Sequence, residues 1–90
     1  MKITDIKIQH IKSPKNKLRA FVTIAIDNFL VIRGFKIFDS VKGLFVGMPD
    51  RKMPDGSWEE SVFCLDADFE SYIKNTILRA YEDEKAMSNI

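Results

Sequence analysis

The stretch "LRAFVTIAIDNFLVIRGFKIF", residues 18–38, decides the fold. Two runs rich in β-branched and aromatic residues flank Asp27-Asn28, and both members of that pair tolerate positive φ, so the pattern predicts a β-hairpin with a two-residue turn. In that register Ile26 pairs with Phe29, Ile24 with Val31, Val22 with Arg33, Ala20 with Phe35 and Leu18 with Ile37. This face is almost wholly apolar and belongs on a core. The opposite face pairs Ala25 with Leu30, Thr23 with Ile32, Phe21 with Gly34, and Arg19 with Lys36. The Phe21 ring would cover the bare strand at Gly34. Arg19 and Lys36 would repel one another, either awaiting an anion or splaying into water.

The flanking segments extend the sheet. Before the hairpin, "KITDIKIQHI" (2–11) alternates Ile6 and Ile8 against Asp5, Lys7 and Gln9, and "SPKNK" (13–17) is a polar turn. After it, "GLFVGM" (43–48) reads as a fourth strand and "SWEESVFCL" (57–65) as a fifth. Between these two runs Pro54, Asp55 and Gly56 form a tight turn, with proline setting φ and glycine relieving the strained position. From Asp66 the period changes to helical. Phe69, Tyr72, Ile73, Thr76, Ile77, Ala80 and Tyr81 share one stripe, and Asp66 or Asp68 supplies the N-cap. The helix is expected over roughly 67–84, and the tail "EDEKAMSNI" (82–90), which has no stripe, is expected to fray. The expected fold class is α+β, a twisted antiparallel sheet of about five strands with one C-terminal amphipathic helix. It forms a single domain over residues 1–90. The exposed edges of such a sheet call for a homodimer built by strand pairing.

Composition narrows the function class. The chain has one cysteine, Cys64, so no intrachain disulfide forms, and "MKITDIKIQH" lacks the apolar core of a secretion signal. No apolar run approaches membrane-spanning length, and these features together predict a soluble cytoplasmic protein. Charge is divided along the chain. Residues 1–52 carry eleven Lys/Arg and four Asp/Glu, a net +7, and residues 53–90 carry three and nine, a net −6. Such asymmetry marks either a basic surface opposed to an acidic one or two halves that attract each other.

Catalytic equipment is sparse. His10 is the single histidine, so one chain cannot build a multi-histidine metal site, and Cys64 ends an apolar run as a small hydrophobe would. No phosphate-loop, dinucleotide or nucleophile-elbow pattern occurs. Glu59 and Glu60 are neighbours on a strand and point to opposite sides. These observations predict a protein that is not an enzyme and needs no cofactor or metal. Trp58 beside the turn suits either base stacking or capping of the sheet edge. The adjacent cations Arg51 and Lys52 sit in a proline-stiffened connection and suit phosphate contact, or plain solvation, with Asp50 and Asp55 diluting their potential.

The composite "GLFVGMPDRKMPDG" followed by a strand and a helix carrying "ILRAY" resembles the SpoVG family, that of stage V sporulation protein G, a septation regulator. That family typically shows GLFVAMPS-(K/R)(K/R)-x-PDG here. The resemblance runs without gaps from Gly43 to Tyr81, and more loosely through "ITDIKI", the hairpin and "IFD" (37–39). It implies a bacterial cytoplasmic regulator of septation and sporulation that binds DNA, and in some members RNA, as a small homodimer. Matched position by position, the family's basic pair falls on Arg51 and Lys52, and its turn on Pro54, Asp55 and Gly56. The chain departs from the family at Gly47, where Ala is common, and at Asp50, where Ser is common. It also departs at Glu59, at Phe63-Cys64, and at Glu70 and Tyr72, and several of these changes remove positive charge. The expected nucleic-acid contacts are therefore Arg51 and Lys52, with Arg19, Lys36, Lys15 and Lys17 as a second basic patch. Neither a membrane nor a small-molecule substrate is expected as a partner. The alternative is an interaction module that acts on septum formation through a protein partner, which the acidic second half favours.

Overall fold

The computed structural model of the chain describes residues 1–12 and 16–88. It is α+β, as expected, but six strands form two sheets instead of five forming one. Strands β1 (Ile3–His10), β2 (Leu18–Ile26), β3 (Leu30–Ser40) and β4 (Gly43–Gly47) make an antiparallel meander in the order β1-β2-β3-β4. Strands β5 (Asp50–Lys52) and β6 (Trp58–Glu60) pair separately as a ribbon. Helix α1 (Ala67–Ser88) follows and lies against β4 and β1.

The central hairpin forms where expected, with a different register. Asp27 and Asn28 both have positive φ, 52° and 58°, and the Phe29 N–H donates to the Ile26 carbonyl at 2.9 Å. Phe29 stays in the loop, however, so Ile26 faces Leu30, Ile24 faces Ile32 and Thr23 faces Arg33. The turn is held from outside. Asp27 N–H donates to the Lys2 carbonyl, Lys2 N–H to Asp27 Oδ1, and Asn28 N–H to Thr4 Oγ1. A second shift occurs at Gly34, which has φ 103° and no partner on β2, so Val22 faces Phe35 and Ala20 faces Ile37. This bulge changes the parity of β3. Phe35 and Ile37 enter the core as expected, whereas Val31 and Arg33 are exposed and Phe29 is 94% exposed. The expected cover of Gly34 by Phe21 is thereby corrected: a Cβ on Gly34 would meet Pro49 Cβ at 3.4 Å, and Phe21 faces Lys36.

The core is one cluster built from Ala20, Val22, Ile24, Ile26, Phe35, Ile37, Val46 and Met48 on the sheet side, and Ile73, Ile77 and Tyr81 on the helix. The three helical members repeat at the i, i+4, i+8 spacing that the sequence stripe marks. Of the two cap candidates, Asp66 does the work, its Oδ2 accepting the Phe69 N–H at 3.1 Å. The helix continues to Ser88 instead of fraying after Glu84. Side-chain contacts hold the turns that lead into this extension, and Lys85 Nζ lies 5.6 Å from the Tyr81 ring centroid. His10 Nε2 and Glu84 Oε1 lie 2.9 Å apart, and the His10 ring stacks on Tyr81 at 5.4 Å. The expected fifth strand is shortened to Trp58–Glu60, because Ser61 and Val62 turn back to donate to the Pro49 carbonyl.

Candidate nucleic-acid interface

The connection between β4 and α1 is the β5–β6 ribbon. Asp50 faces Glu60, Arg51 faces Glu59 and Lys52 faces Trp58. Its tip is built by the residues the sequence singles out. Gly56 N–H donates to the Met53 carbonyl at 2.9 Å across Pro54-Asp55, Gly56 has φ 91°, and Met53 N–H donates to the Ser57 carbonyl at 2.7 Å. Asp55 Oδ1 accepts from the Ser57 hydroxyl at 2.6 Å and from the Ser57 N–H at 2.9 Å. These two bonds, the hydroxyl first, hold the Asp55 carboxyl below its ordinary value of 3.8. The base of the ribbon is tied to buried Pro49 through the Ser61 and Val62 N–H groups.

Because Arg51 and Lys52 are consecutive on a strand, the pleat sends them to opposite faces of the ribbon. The sequence shows an adjacent pair in a loop; the structure presents one cation on each side. Both are exposed. Arg51 Nη2 lies 3.7 Å from Glu59 Oε1, and Lys52 has no ion pair among the described residues. From Asp50 to Glu60 two cations stand against four carboxylates.

The second basic patch does not assemble. Arg19 and Lys36 are not opposite one another, since β3 is shifted by the loop residue and the bulge. Arg19 Nε lies 3.9 Å from Asp39, and its Nη1 donates to the Asn16 carbonyl. Lys36 Nζ lies 2.9 Å from Asp50 Oδ1 and 5.1 Å from the Trp58 ring centroid. Trp58, 60% exposed and paired with Lys52 next to the ribbon's turn, therefore sits beside a lysine of the main sheet. Lys17 is exposed, and Lys15 lies outside the described residues. Burial, then Glu70 and Asp66, push the Cys64 thiol above its ordinary value of 9.0.

The family model for SpoVG matches residues 1–83. The chain belongs to the SpoVG family. It is 39% identical over 82 residues to a protein of Acetivibrio thermocellus, covering 91% of this chain and 86% of that one. It is 38% identical over 82 residues to one of Myxococcus xanthus, covering 91% and 81%, and 34% identical over 83 residues to one of Acholeplasma laidlawii, covering 92% and 87%. Each of these relatives carries the name "Putative septation protein SpoVG". The SpoVG match spans every strand and most of the helix, so the ribbon is an integral part of the family domain.

Two features escape sequence reasoning. One is an apolar groove of about 540 Å³ lined by Ile26, Leu30, Ile32, Phe63, Leu65 and Phe69 among others. It adjoins the part of β3 before Lys36, which β4 does not pair. The other is the solvent face of the main sheet, where Phe21, Phe38 and Phe45 stand among cations. The alternating pattern marks both strands of the hairpin, but the register shifts cannot be seen in it, so it misassigns which side chains share a face. No helix among the described residues is long and apolar enough to cross a membrane, and no group of three or more metal-ligating side chains occurs among them.

Proposed function

We propose that this SpoVG-family chain is a regulator linked to septation that binds DNA or RNA as a homodimer, chiefly through backbone phosphates, and catalyses no reaction. One observation carries the reading: a projecting two-stranded ribbon, rooted at buried Pro49, holds Arg51 and Lys52 exposed on its two faces. A two-stranded ribbon fits the major groove of duplex DNA, and a cation on each face meets a phosphate wall on each side. Magnitudes rank the cations. The Arg51–Glu59 pair is solvent-exposed and worth at most about 1 kcal/mol, so a phosphate can displace it. Lys36 is bonded to Asp50, stacked on Trp58 and half-buried, and Arg19 is tied to Asp39 and Asn16, so both are structural before they are ligand contacts. The names of the relatives support the link to septation, and the groove beside the unpaired edge of β3 supports the homodimer, since a second copy would there gain both strand pairing and apolar burial.

The test is a salt titration of binding to duplex DNA and to RNA. If Arg51 and Lys52 of both copies each neutralise one phosphate, about four are covered, and the log–log slope on duplex DNA is roughly −3.6. Replacing both by Ala should flatten it toward zero with little change in Tm. Equal binding by wild type and the double variant at low salt would overturn the assignment. A second reading, an interaction module for a protein partner, draws on the excess of carboxylates in the ribbon. It predicts no retention of DNA or RNA at about 50 mM salt.

A further inference from the structure

The solvent face of the main sheet carries aromatic rings and cations in adjoining rows. Register places Lys7, Thr23 and Arg33 side by side across β1, β2 and β3. The next row is Gln9, Phe21, Lys36 and Gly47, and the one after it holds Phe38 beside Phe45. Rows two residues apart on a strand are separated by about 6.6 Å and neighbouring strands by about 4.8 Å. Phe38 and Phe45 stack on each other at 5.0 Å, and Gly47 leaves room for that pair, since a Cβ there would meet Phe38 Cε2 at 3.0 Å. Phe21 is 39% and Phe45 47% exposed, well above what a covered sheet face shows. Lys7 and Arg33 form no ion pair among the described residues, while Asp5 stands in the row beyond them.

We infer that this face binds single-stranded nucleic acid, with bases stacked on Phe21 and Phe45 and the backbone running past Lys7 and Arg33, while Lys36 stays bonded to Asp50. The inference rests on the nucleic-acid reading above and adds a second surface to it. Rings exposed on a rigid sheet offer π-faces to unpaired bases, and every base has such a face, so recognition is tolerant of sequence. A duplex keeps its bases stacked on one another and would leave these rings unused. Charge argues against a second copy of the chain as the occupant. Interface cores are depleted in charged side chains, whereas here the Lys36–Asp50 pair interrupts the rings and Lys7 and Arg33 flank them. A two-fold contact would also bring cations toward cations.

The experiment is fluorescence anisotropy with a labelled 20-nucleotide oligo-uridine and a 20-base-pair DNA duplex, on wild type, Phe21→Ala, Phe45→Ala, Arg33→Ala and the Arg51→Ala/Lys52→Ala double variant, with sedimentation velocity in parallel. Wild type should bind the oligo-uridine. Each Phe variant should weaken that binding by about tenfold with its salt slope unchanged, and Arg33→Ala should reduce the slope by about 0.7. Duplex binding should respond to the double variant and not to the Phe variants. Oligo-uridine binding unaffected by both Phe variants would overturn this inference and leave the ribbon assignment standing. Phe variants that separate a dimer while preserving affinity per chain would also overturn it, in favour of a contact between copies. Absence of binding to either probe by wild type would overturn both.

Discussion

Gly34 shows how much one position governs here. With φ 103° and Pro49 in van der Waals contact where a Cβ would lie, it is the point at which β3 changes face. Any L-residue there is strained, so Gly34→Ala should destabilise the chain by roughly 1–3 kcal/mol in urea unfolding. The same change at Gly47 meets no such φ barrier and has only the Phe38 ring to move. Asp55 is the residue with a pH signature. Its carboxyl holds a proton less tightly folded than unfolded, so its contribution is complete above the ordinary aspartate range and is lost as pH falls through the lowered folded value. Stability curves for wild type and Asp55→Asn, measured by urea melts against pH, should therefore separate at neutral pH and converge in acid. The turn chemistry of Asp27, Asn28, Pro54, Asp55 and Gly56 is legible in the sequence, because positive φ and proline's fixed φ are local properties.

Among the elements, the helix is the most predictable and its end the least. The stripe from Phe69 to Tyr81 needs only its own spacing to be read, and Asp66 closes its first turn. Asp66→Ala should cost about 1 kcal/mol, seen as a lower urea midpoint with unchanged slope. The last turns have no apolar stripe, yet Glu, Lys, Ala and Met are good helix formers and His10 on β1 meets Glu84. His10→Ala should accordingly speed amide exchange over residues 82–88 more than in the first turns. That contact joins positions 74 residues apart, so nothing local announces it. The ribbon is a similar case. Its three-residue strands are too short for an alternation to be recognised, and the buried anchor at Pro49 is what makes Arg51 and Lys52 a strand instead of a loop.

For the molecule as a whole, the helix and sheet share one core, and Ile77 is fully buried between them. Ile77→Ala should cost about 2–5 kcal/mol, with the cavity left behind setting where in that range it falls. The proposed homodimer would use a separate surface. Leu30 lines the apolar groove on the unpaired edge of β3 and is half exposed, so on the homodimer proposal Leu30→Asp should leave the monomer folded and shift sedimentation from dimer to monomer. The charge division along the chain is only partly resolved by the fold. Arg51–Glu59 and His10–Glu84 join the two halves, whereas Lys36–Asp50 and Arg19–Asp39 lie within the first and Lys74–Glu70 within the second. From the order of residues alone come the α+β class, the hairpin and its turn, the helical stripe, its acidic start and the SpoVG motif, all of which depend on neighbours a few positions apart. The register of β2 on β3, the separation of Arg51 from Lys52, the capture of Lys36 by Asp50 and the aromatic face of the sheet arise only when distant segments meet. Loop and bulge insertions move every later side chain by one place, and their cost is set by contacts such as Pro49 on Gly34 that no local pattern contains.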